Sequence, residues 1–437
     1  MDTARALAVR LLMRSEESGY SNLLLKNALE KETLSDQDRR FVSALVYGTL
    51  EKQRLLDALL DLFLKKPVLR LDAPVRAILR SGLYQCRWME KVPSYAAISA
   101  AVEMTRRFGK ASAAGMVNAV LRKAEKAAMS DLVFTQERQR LAVLYSVSDP
   151  IAEMLTQAYP GQAEEILSAF ETPVQPVLRV NTLRCKADRL CNILRQEGIE
   201  AEATVLPDAV RLPNGGDLAH TRAFAEGLFH VQGLASQLAA LAVQAVPGQK
   251  IVDLCAAPGG KSLTLAQQMQ DRGTLLCGEL QSARVSLIEQ QLRRCGVHCA
   301  TVRCADATVY DGALADADAV LCDVPCSGTG TLAKKPDIRL KDLNAARTEL
   351  TKTQRDILET ASRYVRPGGR LVYSTCSLDP AENGQIVSTF LSDHPAFVPQ
   401  SFDTAGLPTL ADGIGVTIFP QRGLNDGFYI AVFGRNS

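Results

Sequence analysis

Thirteen residues constrain this chain more than any other stretch: Lys250 to Ser262, K-I-V-D-L-C-A-A-P-G-G-K-S. Ile251, Val252 and Leu254 predict a short buried strand ending beside Asp253. Pro258, Gly259 and Gly260 force a turn, and from Lys261 the apolar spacing becomes helical. A strand, a glycine-rich turn and a helix start bring bare backbone N–H groups against a ligand, because a Cβ would block the approach. The next predicted strand, Thr274 to Gly278, ends at Glu279, 19 residues past Gly260. A carboxylate at that spacing suits a ribose hydroxyl.

The ligand is narrowed by what is missing. A Walker A loop would need glycine where Cys255 stands, and the dinucleotide pattern G-x-G-x-x-G is absent. S-adenosylmethionine carries a ribose but no phosphate, so it needs neither motif. From about Phe229 onward, strands near Ile251, Leu275, Ala300, Ala319, Leu371 and Tyr429 alternate with helical stretches. The longest helix is expected over Asn344 to Val365, closed by Pro367-Gly368-Gly369. Alternation of this kind predicts a parallel, doubly wound sheet with ligands at its C-terminal strand ends. Asp253, Glu279, Asp306, Asp323 and Cys376 all fall at those ends.

Two cysteine contexts carry the chemistry. One strand delivers D-V-P-C-S-G-T-G, with Asp323 and Cys326; the next delivers Y-S-T-C-S, with Cys376. A thiolate adding to carbon 6 of a cytosine turns carbon 5 into a nucleophile, and a base must later remove the carbon-5 proton. A thiol suits the task because it is partly ionised at neutral pH. Asp323 is placed to hydrogen-bond the edge of such a ring. Either cysteine taken alone reads better as a small buried strand-end residue; the glycine-rich turn and the two contexts together favour the chemistry.

The rest of the chain sets the context. At 437 residues it is long enough for two or three domains. No apolar run is long enough for a membrane span, and no export signal pattern opens the chain. The 11 cysteines therefore read as free thiols in a cytoplasmic protein. Cys295, Cys299 and Cys304 match no paired-ligand spacing, so no metal is expected. Residues 1–150 hold 24 Lys and Arg against 17 Asp and Glu, whereas the remainder is net acidic. A basic front end suggests a polyanionic partner.

Three parts are expected: an all-helical domain over 1–142, a linker helix and small α/β module over 143–228, and a catalytic domain over 229–437. In the first part, D-R-R-F-V-S-A-L-V-Y-G-T-L (Asp38 to Leu50), A-P-V-R-A-I-L-R-S-G-L-Y-Q (Ala73 to Gln85), V-P-S-Y-A-A-I (Val92 to Ile98) and V-N-A-V-L-R (Val117 to Arg122) resemble the NusB family of RNA-binding helical domains.

In the third part, D-L-C-A-A-P-G-G-K, D-V-P-C-S-G-T-G, K-P-D-I (Lys335 to Ile338), Y-S-T-C-S and D-G-F-Y-I-A (Asp426 to Ala431) resemble the RNA cytosine-5 methyltransferases. With the NusB-like front end, the whole chain resembles the RsmB/Sun/Fmu type of bacterial 16S rRNA methyltransferase. The resemblance implies a multi-domain protein: an all-α NusB-like domain, a small α/β module and a Rossmann-like doubly wound methyltransferase domain. It implies S-adenosyl-L-methionine as cofactor, 16S ribosomal RNA as partner, and a monomer. It makes Cys376 the nucleophile and Cys326 the residue that assists release. Cys255, Ala256, Ala257, Pro258, Gly259, Gly260, Lys261, Glu279, Asp306 and Asp323 would contact the cofactor, with Asp306 near the adenine.

Ile151, Gly233, Gly384 and Glu279 depart from the family pattern, and none is a proposed catalytic group. Two alternatives stand beside this reading. The target could be transfer RNA or another ribosomal RNA, or the chain could be a non-catalytic ribosome assembly factor.

Overall fold

The structure is a computed structural model that describes residues 2–18, 25, 27–29, 32 and 34–437. The helical expectation over 19–24, 26, 30, 31 and 33 lies outside the described residues. The chain divides into two compact units, residues 1–157 with 335–342, and residues 158–334 with 343–437.

The first unit is helical, with α1 (Asp2–Ser18), α2 (Asp36–Glu51), α3 (Gln53–Asp61), α4 (Ala73–Trp88), α5 (Ser94–Arg107), α6 (Ala114–Ala124), α7 (Glu137–Leu144) and α8 (Asp149–Ala158). Local chemistry sets several starts. Ser35 caps α2 by accepting from the Asp38 N–H, and Asp36 and Asp38 favour the positive end of its dipole. Pro74 lies in the first turn of α4, where no N–H is needed, and Pro93 precedes α5. Leu7, Leu45, Leu56, Ile78, Leu83 and Leu121 belong to one buried core. Arg80, 3% exposed, crosses that core to pair with Asp57 at 2.6 Å and with Glu16.

A distant stretch, 335–342, also belongs to this unit. Its Arg339 is buried, donating to the Tyr145 carbonyl at 2.9 Å, while the Ser148 N–H donates to the Arg339 carbonyl at 2.7 Å.

The second unit holds two sheets. The smaller is antiparallel, ordered β2 (Glu202–Ala203), β3 (Ala209–Arg211), β1 (Val177–Val180), β4 (Phe229–Val231). In chain order the larger sheet contains β5 (Lys250–Asp253), β6 (Thr274–Glu279), β7 (Ala300–Cys304), β8 (Ala317–Asp323), β9 (Val365–Thr375), β10 (Phe397–Pro399), β11 (Thr409–Ala411), β12 (Gly415–Ile418) and β13 (Phe428–Arg435). Its spatial order is β11-β12-β13-β9-β8-β5-β6-β7, with β10 also on β13. β7, β6, β5, β8 and β9 are mutually parallel, and the order reverses around β5. That reversal creates the crevice in which doubly wound folds bind ligands.

Two expectations change. The strand at Tyr429 runs antiparallel to β9, so the sheet is mixed. An apolar run announces a buried strand without announcing its direction. Pro367-Gly368-Gly369 does not close the long helix, which spans Leu343–Ser362, but lies inside β9. There the pairing jumps from Ala317–Val365 to Ala319–Arg370, so the extra residues form a bulge. A Cβ on Gly369 would stand 3.0 Å from the Asp318 carbonyl and 2.7 Å from Val365, which explains the glycine.

Among the described residues no helix is long and apolar enough to cross a membrane. Nor is any group of three or more His, Cys, Asp or Glu side chains arranged to hold a metal ion.

Candidate active site

The first wall of the site is the turn from β5 into the next helix, α9 (Gly260–Gln268). Gly259 caps that helix with φ of 103°, a conformation that L side chains rarely adopt. At the end of β5, Asp253 is fully buried and accepts from the Ser262 hydroxyl at 2.6 Å through Oδ2, while Oδ1 has no partner. Burial pushes Asp253 up to about 6, against the lowering pull of Ser262 and Lys261. Cys255, in the same turn, is pushed far up by burial and the surrounding carboxylates, so its sulfur is an inert thiol.

The acidic strand ends share a habit. Glu279, 5% exposed, uses Oε1 to accept from the Gln281 N–H at 3.0 Å. Exposed Asp306 uses Oδ1 for the Thr308 N–H at 2.9 Å and hydroxyl at 2.7 Å. In each, one oxygen fixes the carboxylate's direction, Arg284 also lying 3.5 Å from Glu279 Oε1, and the other has no hydrogen bond among the described residues. Asp323 differs, because both its oxygens are engaged. Oδ2 meets Lys261 Nζ at 2.6 Å, and Oδ1 accepts from the Ser374 hydroxyl at 2.8 Å. Lys261 also lies 5.2 Å from the centre of the Phe428 ring.

The cysteines meet. β8 and β9 are neighbouring parallel strands with Asp323 in register with Ser374, so Cys326 and Cys376 leave them side by side. Their sulfurs are 3.3 Å apart and both residues are half-buried. The hydrogen bond to Cys376, and then burial, push the Cys326 thiol well above its ordinary range. The two thiols share one hydrogen bond, in which either sulfur can be the donor.

Reasoning from sequence passed over the groups that hold these two loops. Glu382, 1% exposed, accepts from the Ser377 hydroxyl at 2.9 Å, the Ser327 N–H at 2.8 Å and the Gln354 amide at 2.9 Å. Asn383 accepts from the Thr375 hydroxyl at 2.6 Å and donates to the Ser377 carbonyl at 2.9 Å. The only signal was the acidic-amide pair Glu382-Asn383 a few residues past Cys376.

Fold and strand-end layout define the class: a Rossmann-like α/β domain of the methyltransferase kind, joined to a helical unit. The particular family follows from comparison. The chain matches the 16S rRNA methyltransferase RsmB/F family over residues 240–434, the NusB family over 2–126, and the RsmF/B-like ferredoxin-like domain over 151–219. It is 34% identical to the probable ribosomal RNA small subunit methyltransferase B of Bacillus subtilis, covering 98% of both chains. It is 31% identical to ribosomal RNA small subunit methyltransferase B of Pseudomonas putida, covering 98% of this chain and 96% of that one. Among solved structures, a methyltransferase homolog protein from Pyrococcus horikoshii superposes with a TM-score of 0.61 at 25% identity, covering 69% of this chain and 100% of that one. The chain belongs to the 16S rRNA methyltransferase RsmB/F family.

Proposed function

We propose that this protein transfers a methyl group from S-adenosyl-L-methionine to carbon 5 of a cytosine in 16S ribosomal RNA, through a covalent bond to Cys376. One observation carries the reading: two thiols in contact at 3.3 Å, next to the Lys261–Asp323 pair, on adjacent parallel strand ends. A pure RNA-binding assembly factor needs no such pair. The three-part division at 1–142, 143–228 and 229–437 belongs to the same proposal, with the helical part holding RNA phosphates through its surplus of cations.

The residues present fit the cofactor. The turn Cys255, Ala256, Ala257, Pro258, Gly259, Gly260, Lys261 offers backbone at a helix start, reached through the left-handed conformation of Gly259. Glu279 and Asp306 each keep one carboxylate oxygen for a ligand, the first for the ribose and the second for the adenine side. Bound there, S-adenosylmethionine supplies an electrophilic methyl group.

The protein's own residues do the rest. Asp323, held rigid by Lys261 and Ser374, orients the cytosine edge. Once its thiol has given up its proton to solvent, the Cys376 thiolate bonds to carbon 6, and the displaced electron pair makes carbon 5 nucleophilic. After methylation, carbon 5 loses its proton with assistance from Cys326. The electrons of that C–H bond restore the ring double bond as the Cys376–carbon bond breaks.

A labelled-methyl transfer assay on purified 16S RNA, 23S RNA and transfer RNA tests the reading. Label in cytosine carbon 5 of 16S RNA is the expected result. Label only in another RNA moves the target, and no label in any RNA favours a binding role.

A further inference from the structure

We propose that Glu382 is the positioning residue that sets the Cys326–Cys376 contact. Its carboxylate joins the two loops at the residues that immediately follow each cysteine. Ser327, directly after Cys326, donates its backbone N–H to Oε2 at 2.8 Å, and Ser377, directly after Cys376, donates its hydroxyl to Oε1 at 2.9 Å. The Gln354 amide donates to Oε2 at 2.9 Å and also to the Pro325 carbonyl at 2.9 Å, so both neighbours of Cys326 are tied to the same carboxylate.

The arrangement is costly in a way that packing alone does not explain. A carboxylate 1% exposed has lost nearly all its water, and among the described residues Glu382 forms no ion pair. Its charge is satisfied by three donors that carry no charge, and hydrogen bonds to an ionised acceptor are short and strongly directional. A neutral apolar residue would fill the space but would take the acceptor from the Ser327 N–H and remove one partner each from the Ser377 hydroxyl and the Gln354 amide. The carboxylate thus acts as a three-way pin. It fixes where the loop leaving β8 and the loop leaving β9 cross, and hence the separation of the two sulfurs. Gly330, which donates to the Cys376 carbonyl at 2.9 Å, ties the far end of the first loop to the second.

The catalytic meaning of this pin rests on the covalent reading above, but its geometric content does not, and two readouts keep them apart. Phenylarsine oxide condenses with two touching thiols to give one arsenic bridging two sulfurs, releasing one water. The share of binding lost in Cys326→Ala identifies this site among the other cysteines. In Glu382→Ala that share should weaken by about tenfold or more. In Glu382→Gln it should be unchanged, because the amide oxygen accepts at the Oε2 position and the amide N–H donates to the Ser377 oxygen. Methyl transfer should follow the same order. kcat should fall about a hundredfold in Glu382→Ala, the scale of a small misplacement of reacting groups. It should be restored in Glu382→Gln, with S-adenosylmethionine affinity constant throughout.

If Glu382→Ala does not unfold cooperatively, Ser377→Ala replaces it, since it cuts the carboxylate's arm to the Cys376 loop together with the hydroxyl's contacts to Ser327, Thr329 and the Asp379 N–H, and the same weakening is expected. Arsenical binding as tight as in the unaltered protein, in a folded Ala variant, would overturn the proposal. So would a Glu382→Gln variant as weak as Glu382→Ala. An unaltered protein that shows the arsenical pattern but methylates no RNA would overturn the proposed function while leaving the pin in place.

Discussion

Arg80 in the helical unit and Glu382 in the catalytic unit are both almost fully buried charges, and the fold treats them in opposite ways. Arg80 is matched with charge, reaching Asp57 through Nε and Nη2 at 2.6 Å each, and Glu16 besides. Burial raises the Glu16 carboxyl, but the hydrogen bonds and charges of Arg76 and Arg80 outweigh it and hold it below its usual range. Glu382 meets neutral donors instead, and so does Asp253, whose partner is a serine hydroxyl. The comparison teaches where charge is spent on holding elements together and where it is kept for a task. Opposite charges in a helical core cancel and have no further work. Glu382 and Asp253, held by neutral groups, keep their field beside the cysteine loops and the glycine-rich turn, whereas Asp323 is paired with Lys261 and Glu279 with Arg284.

The largest effect should come from breaking the paired side. Arg80→Ala strands Asp57, while Glu16 keeps Arg76, and should cost the helical unit about 3–5 kcal/mol. Urea denaturation of the full chain measures this, with S-adenosylmethionine titration below the transition showing unchanged affinity. A loss under about 1 kcal/mol would mean that the pair is solvated and the contrast false.

A neutral partner also surrounds His230, 4% exposed, whose Nε2 lies 3.0 Å from the Gln232 amide oxygen. Burial, with the charges of Arg179 and Arg294, pushes it down to about 4, against the raising hydrogen bond of Gln232. The unfolded histidine takes up a proton near pH 6.5, so the unfolded chain binds more protons between 6.5 and 4. The stability that His230 contributes is present above pH 6.5 and is lost as pH falls towards 4, by up to about 3 kcal/mol. Asp253 acts oppositely: its raised value favours the fold at low pH, and that contribution fades as pH rises through about 6. His230→Gln should remove the histidine's part, so the variant should lose less stability than the unaltered protein between pH 7 and 4.5. Denaturation series at both pH values give the answer, and equal acid losses would show that His230 is not buried as a neutral group.

A smaller change tests the strand-end carboxylates that each keep an oxygen for a ligand. Glu279→Ala should weaken S-adenosylmethionine binding by about 1–3 kcal/mol by calorimetry, with folding intact. Unchanged affinity would remove Glu279 as the ribose acceptor.

The elements that the sequence announced are those whose physics is local. Gly259 stands where a left-handed turn is needed, and Pro74 and Pro93 mark helix starts whatever the tertiary surroundings. Asp253, Glu279, Asp323 and Cys376 were legible because alternating strands and helices put strand ends on one edge of a doubly wound sheet. What stayed hidden depends on partners far away in sequence. The direction of β13 is set by pairing with β9, and Pro367-Gly368-Gly369 reads as a helix stop until β8 supplies the bulge partner. Residues 335–342 carry a motif of the catalytic domain yet pack with helices nearly 200 positions earlier, as Arg339 on Tyr145 shows. Pro336–Arg339 also packs on α2 (Asp36–Glu51), so cutting the chain at 142 would strip that segment of part of its packing, and substitutions in the full chain are the sounder probes. Glu382 carried no periodicity and no spacing rule, and only its three partners give it meaning.

The touching thiols divide attack from release in the proposed reaction. Each single variant, Cys376→Ala and Cys326→Ala, is incubated with 16S RNA and S-adenosylmethionine and run on a denaturing gel after heat and detergent. Cys326→Ala keeps the attacking sulfur and should show a protein–RNA band that survives both, whereas Cys376→Ala should show none. A band from Cys376→Ala alone would reverse the two roles, and the absence of a band from either would contradict the covalent route.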